Sequence, residues 1–385
     1  MLNALDTLLA EPVEAAKRRE AETFDSVAGG CPLVLFGAGA FGQRTLKGLR
    51  AIGIEPLAFC DNNAALWGLE MGGLPVLSLP EAATKHGRDA AFAITIWSGH
   101  ATDKMADRET QLRALGCRSV VHWGLLYWRY QALFPYYAAN AAHLVLQQAA
   151  EVGACTALWA DDFSRREYLA QIRWRLHFNF AALADPVTGP LYFRDELRKL
   201  STDEVFVDCG AYDGDTVRSF LEHSTGRFRK IFAFEPDPAN FQKLQSIAAL
   251  NPRIKVKQAA VGRTNSTVAF MADGSEASSA GKGESQVECV SLDSCLASEH
   301  PSFIKLDIEG YELEALAGAR QIIARHAPAL AVCVYHAQDH VWRVPLQIAS
   351  YNPRYKFYQR PHLREVWDLV CYAIPLPAGA SAIDD

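Results

Sequence analysis

The chain has 385 residues, half of them hydrophobic and 21% charged, with a formal net charge of -6. At about 150 residues per domain this leaves room for two or three domains with their own cores, and it excludes a mainly disordered chain. The acidic balance argues against a nucleic-acid surface, which needs a basic face; the longest Lys/Arg run is Lys17-Arg18-Arg19.

Residues 1–27 read as an amphipathic helix with Leu2, Leu5, Leu8, Leu9 and Val13 on one face. A short apolar strand, 32–36, runs into Gly37-Ala38-Gly39-Ala40-Phe41-Gly42, and a helical pattern through Leu46, Leu49 and Ile52 follows. A second strand, 56–60, ends at Asp61-Asn62-Asn63. This is a βαβ unit opening a parallel sheet. Strands at 76–77, 91–96 and 120–121 continue it, with Leu112 and Leu115 on the last helix.

Residues 124–200 are rich in Ala, Leu, Tyr, Trp and Gln and read as mostly helix. From Glu204 a second alternating pattern starts. Strands are expected at 205–207, 230–234, 254–260, 303–307 and 329–335, with helices between them. Residues 267–271 and 287–290 read as a hairpin broken by the Gly/Ser-rich loop 273–286, which could cover a ligand. Residues 355–358 and 369–374 read as a terminal antiparallel pair.

The expected organisation is an N-terminal helix (1–28), a Rossmann-like domain (29–123), a helical connector (124–200), a second α/β domain (201–377) and a tail (378–385). The fold class is α/β, with two doubly wound Rossmann-like domains. No stretch reaches the ~18 apolar residues of a membrane helix. The start, Met1 to Asp6, lacks the basic and apolar regions of a secretory signal. Nine Cys with no C-x-x-C pair read as reduced core thiols, which predicts a cytoplasmic protein without a zinc site or disulfide framework.

Ligands of open α/β sheets collect at the carboxyl ends of the strands. Asp208, Glu235 and Asp307 stand at three such ends. The turn Asp208-Cys209-Gly210-Ala211-Tyr212-Asp213-Gly214 offers glycines for close backbone approach. Glu235 lies 27 residues after Asp208, where an acid can accept hydrogen bonds from ribose hydroxyls. The turn is no P-loop and lacks the third glycine of a dinucleotide fingerprint. A ligand with a ribose and a carboxylate but no pyrophosphate suits it, and S-adenosylmethionine has those groups.

Asp208–Thr216, Phe234-Glu235-Pro236-Asp237 and Ile304-Lys305-Leu306-Asp307-Ile308-Glu309-Gly310-Tyr311-Glu312 together resemble the FkbM family of S-adenosylmethionine-dependent methyltransferases. The resemblance covers about residues 200–375. It implies a class I methyltransferase fold with a seven-stranded sheet, and O-methylation of a small molecule or sugar. It also implies that Gly210, Ala211, Tyr212 and Gly214 line the methionine part, that Glu235 holds the ribose, and that Asp307 faces the acceptor.

A sugar hydroxyl is a poor nucleophile when neutral, so a base or a metal ion is needed. Asp307, Glu309 and His336 are the candidates, with Asp339 and His340 close behind. His336 could act as general base. Alternatively, Asp307, Glu309 and His336 could ligate a cation such as Mg²⁺ or Mn²⁺. Trp342, Tyr351, His362 and Trp367 are candidates for an acceptor pocket, although aromatic residues at such spacing more often form core.

Gly37, Gly39 and Gly42, with Asp61 19 residues after Gly42, have the spacing of a dinucleotide fingerprint. Read alone they point to a nicotinamide-dependent sugar oxidoreductase or epimerase. The segment offers no Tyr-x-x-x-Lys acid–base pair, and it resembles small Rossmann-type domains attached to sugar-modifying enzymes. In that setting the site holds a nucleotide-sugar or is structural. The expected partners are therefore a small, sugar-containing acceptor, with neither nucleic acid nor a membrane span.

Overall fold

The computed structural model describes residues 2–99, 102–131, 139–271, 279–280, 283 and 285–377. Most of loop 273–286 and the tail 378–385 lie outside the described residues. The chain forms two units. The first comprises 1–150, 169–185 and 363–367, and the second 151–168, 186–362 and 368–385. The stretch 124–200 is thus shared between the two. Among the described residues no helix is long and apolar enough to cross a membrane.

The N-terminal helical pattern is two helices, Leu2–Leu9 and Val13–Ala28. The break falls at Pro12, which has no N–H to continue the first helix and serves as N-cap of the second. Among the described residues, Leu5, Ala16, Phe24 and Ala28 are the buried apolar residues of the pair.

The first unit carries six strands: β1 (Leu33–Phe36), β2 (Ala58–Asp61), β3 (Glu70–Met71), β4 (Leu74–Ser78), β5 (Ala91–Ile94) and β6 (Ser119–His122). Their order is β3-β4-β2-β1-β5-β6. All pairings are parallel except that of β3 with β4. β1 and β5 are buried at every residue, as strands covered on both faces must be. The order reverses between β1 and β5, which puts the Gly37 turn at the switch point of the sheet. The two-residue β3 has no periodicity to betray it in the sequence.

The second unit carries β7 (Val205–Cys209), β8 (Lys230–Phe234), β9 (Ile254–Lys257), β10 (Ala260–Val261), β11 (Ser266–Met271), β12 (Ser279–Ala280), β13 (Ser285–Val290), β14 (Phe303–Leu306), β15 (Ala329–Cys333), β16 (Tyr355–Pro361) and β17 (Leu369–Pro375). Seven of them form one sheet in the order β16-β17-β15-β14-β7-β8-β9. β17 runs antiparallel to both neighbours, and the other pairings in this sheet are parallel. The expected hairpin is β11 against β13, part of a second sheet ordered β10-β13-β11-β12. The expected strand 254–260 is divided into β9 and β10, which belong to different sheets.

The core of this unit packs Phe206, Phe220, Phe228, Ile231, Leu244 and Phe303 around the sheet. The Phe206 and Phe220 rings stack at 4.6 Å. Each such side chain contributes roughly 1.5–3 kcal/mol by leaving water.

Candidate active site

β7 runs into Gly210, whose φ is +75°. A Cβ there would lie 1.9 Å from the Asp307 carbonyl oxygen, so only glycine fits. The turn then folds over the end of β8: the N–H groups of Gly210 and Ala211 both donate to the Phe234 carbonyl at 3.0 Å. Tyr212 is left-handed, φ +46°, and its N–H donates to Glu235 Oε2 at 2.8 Å. Gly214, φ +89°, ends the turn and opens the helix Asp215–His223, and a Cβ on it would meet Ile247 at 2.3 Å. Gly210 and Gly214 are thus required by the protein's own packing.

Glu235 ties the turn to the next helix. Its other oxygen accepts from the Asp237 N–H at 2.9 Å. Asp237 in turn caps Pro238–Ala248 by accepting from Ala239 and Asn240. Burial pushes the Glu235 carboxyl up to about 7, against the pull of the two backbone N–H groups. Each carboxylate oxygen has more than one acceptor site, so both can still receive a ligand hydroxyl.

Asp208, expected among the cofactor-binding residues, is fully buried below this turn. It lies in register with Lys305 on β14, and Lys305 Nζ is 3.2 Å from Asp208 Oδ1. The same ammonium donates to the Gly210 carbonyl at 2.6 Å. Burial raises the Asp208 carboxyl to about 6, opposed by Lys305. Lys305 thus links Asp208 to the Gly210 turn. A lysine inside the apolar strand Phe303–Leu306 was the signal in the sequence, and motif reading passed over it.

At the ends of β14 and β15 the structure brings Asp307, Glu309 and His336 together. Asp307 Oδ2 accepts from the Tyr192 hydroxyl at 2.8 Å, and Asp307 Oδ1 lies 3.5 Å from His336 Nε2. Glu309 is left-handed, φ +55°, and its Oε1 lies 3.4 Å from the same nitrogen. His336 Nδ1 is 2.8 Å from Glu312 Oε1, an oxygen that also accepts from the N–H groups of Ile308 and Gly310. Glu312 Oε2 is 3.2 Å from His340 Nδ1. Burial alone would lower the His336 pKa, but the Glu312 and Glu309 carboxylates hold it well above its usual value. Burial raises Glu309. Burial also acts to raise Glu312, but His336 and His340 outweigh it and hold this carboxyl far below the usual range.

Tyr192 and Glu312 were not singled out from the sequence. Glu312 is a charge on the buried side of the helix Glu312–Gly318, and only the fold shows that it faces His336.

Residues 208–365 match the family model described as "Methyltransferase FkbM domain". The structure is similar to that of the methyltransferase FkbM from Methylobacillus flagellatus KT, with a TM-score of 0.77, 25% identity and 97% coverage of each chain. Residues 208–365 thus match an FkbM methyltransferase domain. Two more distant likenesses have TM-scores of 0.30. One is an rRNA methylase from Streptococcus thermophilus (15% identity, 47% of this chain and 92% of that one). The other is Aeropyrum pernix fibrillarin with natively bound S-adenosyl-L-methionine (11% identity, 46% and 70%). None of the curated proteins compared matches the chain.

Of the four residues expected to shape an acceptor pocket of the FkbM domain, Trp367 lies in the first unit. There its ring is 4.8 Å from that of Trp97. Trp342 is fully buried. Tyr351 accepts from the Gln347 amide at 2.8 Å, and His362 Nε2 is 2.7 Å from the Tyr372 hydroxyl.

The first unit repeats the logic of the FkbM turn. Gly37, φ +116°, donates its N–H to the Cys60 carbonyl at 2.8 Å, and Ala38 N–H donates to Asp61 Oδ2 at 2.8 Å. Gly42 approaches so closely that a Cβ would lie 1.8 Å from the Gly37 carbonyl oxygen. Gly39 has open space where its Cβ would stand. Gly37, Gly39, Gly42 and Asp61 are thus gathered at the carboxyl ends of β1 and β2.

Proposed function

We propose that the chain is an S-adenosylmethionine-dependent O-methyltransferase that acts on a hydroxyl of a saccharide, a nucleotide-sugar or a related small metabolite. The observation that carries this reading is the Glu235 carboxylate, which pins the Gly210–Gly214 turn at the sheet's switch point. Its remaining acceptor sites suit the two ribose hydroxyls, and the turn suits the methionine part. Asp208 and Lys305 hold that turn from below.

Methyl transfer is an in-line displacement. The acceptor oxygen attacks the methyl carbon, the carbon–sulfur bond breaks, and its electron pair stays on sulfur as the thioether product. The acceptor's proton must leave as its oxygen becomes the nucleophile. Within the Asp307–Glu309–His336 cluster, on adjacent strand ends, a carboxylate is the group proposed to receive it.

The sugar acceptor is favoured by the first unit, whose Gly37 turn and Asp61 form a nucleotide-type cradle. We infer that this cradle takes a nucleotide-sugar in preference to NAD, and calorimetry with each ligand tests that order. All nine cysteines are free thiols, which suits the reducing cytoplasm proposed as the protein's location. Calorimetric titration with S-adenosylmethionine, followed by methyl transfer from labelled cofactor to hydroxylated acceptors, tests the activity.

A further inference from the structure

We propose that Asp307, Glu309 and His336 form a binding site for one first-row divalent cation, Mn²⁺ being the best fit, with Glu312 as the carboxylate that orients His336. The proposal deepens the methyltransferase reading of the same site and rests on it for its role.

One ligand atom from each of the three residues lies within 4.8 Å of the other two. His336 Nε2 is 3.4 Å from Glu309 Oε1 and 3.5 Å from Asp307 Oδ1. Donors bound at about 2.1 Å to a common ion are roughly 3.0–3.4 Å apart, depending on coordination number, so the three atoms already stand near that spacing. Asp307 adds an independent sign. Its Oδ2 has the Tyr192 hydroxyl, whereas its Oδ1 is buried with no hydrogen-bond donor. A buried carboxylate oxygen without a donor is costly unless a cation faces it. His336 Nε2–H, 3.5 Å away, is the positive group that faces this oxygen, and a bound cation would take the place of that proton.

The supporting shell has the form metal sites use. A ligating imidazole turns one nitrogen to the ion and gives its other N–H to a carboxylate, which fixes the tautomer. Glu312 lies at Nδ1, 2.8 Å away, and Nε2 is left facing Asp307 and Glu309. Glu312 is itself held by the Ile308 and Gly310 N–H groups. Glu309 reaches the site only because the backbone turns left-handed at 309 and 310, with φ of +55° and +101°. For a glutamate that conformation is strained, and strain of this kind gathers at ligand clamps. Two oxygens and one imidazole favour a borderline-hard ion over Zn²⁺ in a thiolate site or Ca²⁺ in an all-oxygen one. An ion held there would make an acceptor hydroxyl bound as a further ligand more acidic, its proton passing to the Glu309 carboxylate oxygen that does not face the ion.

The test uses the full chain, stripped of metal with a chelator and titrated with MnCl2 while free Mn²⁺ is followed by electron paramagnetic resonance. The expected result is saturation at one Mn²⁺ per chain. Asp307→Asn and His336→Gln should each abolish saturable binding. Glu312→Gln should weaken it about 10- to 100-fold. Asp339→Asn, whose carboxylate pairs with Arg343, should leave it unchanged. Spin-echo modulation from a coordinated ¹⁴N should appear in the wild-type complex, so the proposal stays testable if a variant fails to fold. No saturable binding, unchanged binding in Asp307→Asn and His336→Gln, or no nitrogen coupling would overturn it. S-adenosylmethionine calorimetry on the same samples separates the two readings. Mn²⁺ binding without cofactor binding upholds the ion site and contradicts the methyltransferase; cofactor binding without Mn²⁺ binding overturns only the ion site.

Discussion

At the residue scale, Glu235 carries the most consequence. Its carboxyl is raised to about 7 by burial, from an ordinary value near 4.5. A raised folded-state value means that the neutral form is the one the fold favours. The associated stability is fully present below about pH 4.5 and is lost as pH climbs through about 7. At ~1.4 kcal/mol per unit the loss is on the order of 3 kcal/mol, and Glu235→Gln should flatten that part of a urea-stability profile. Ribose hydroxyls donate best to the ionised form. S-adenosylmethionine affinity should therefore rise between pH 6 and 8, by up to about tenfold, and calorimetry of Glu235→Gln should show no such rise.

The buried pair beneath the turn makes a second prediction at this scale. Lys305→Met leaves the Asp208 carboxylate fully buried without its cation, and should cost about 3–5 kcal/mol in urea denaturation. The double variant Asp208→Asn with Lys305→Met should recover a large part of that loss. A single variant as stable as wild type would show that the pair does not hold the turn.

At the scale of elements, the two glycine turns differ in what their glycines do. Gly210→Ala places a Cβ 1.9 Å from the Asp307 carbonyl oxygen at a φ of +75°. It should lower stability by roughly 2 kcal/mol or more and disturb the turn that presents Tyr212 N–H to Glu235. Gly39→Ala, with negative φ and open space, should stay within about 0.5 kcal/mol of wild type. Thermal denaturation of the two variants checks the contrast. The strands themselves were legible because central parallel strands are unbroken apolar runs, as Val205–Cys209 and Ala329–Cys333 show. The ends of the strands were less so. The expected strand 329–335 runs too far because the apolar pattern continues past Cys333, the last paired residue of β15, which leaves Tyr335 and His336 beyond it.

At the scale of the molecule, the three acidic strand ends could be read from the sequence, and the seven-stranded sheet was what the FkbM resemblance implied. What could not be read are contacts between residues far apart in sequence. Leu363–Trp367, between β16 and β17, joins the first unit, where Met105 N–H donates to Glu365. No periodicity encodes that. Nor does any motif encode Tyr192 on Asp307, which spans 115 residues of chain. The Asp307–Glu309–His336 grouping was legible because two of its members share one motif and the third follows the next strand. Its orienting partner, Glu312, needed the helix face to be known.

The central claim is that Glu235 and the Gly210 turn hold S-adenosylmethionine. The most direct test is calorimetric titration of the full chain with that cofactor, repeated with Glu235→Ala, with circular dichroism confirming that the variant is folded. Saturable 1:1 binding, weakened in Glu235→Ala by about 1–3 kcal/mol through the lost hydrogen bonds, is the result expected. No binding by the wild-type chain, or equal binding by a folded variant, would contradict the account.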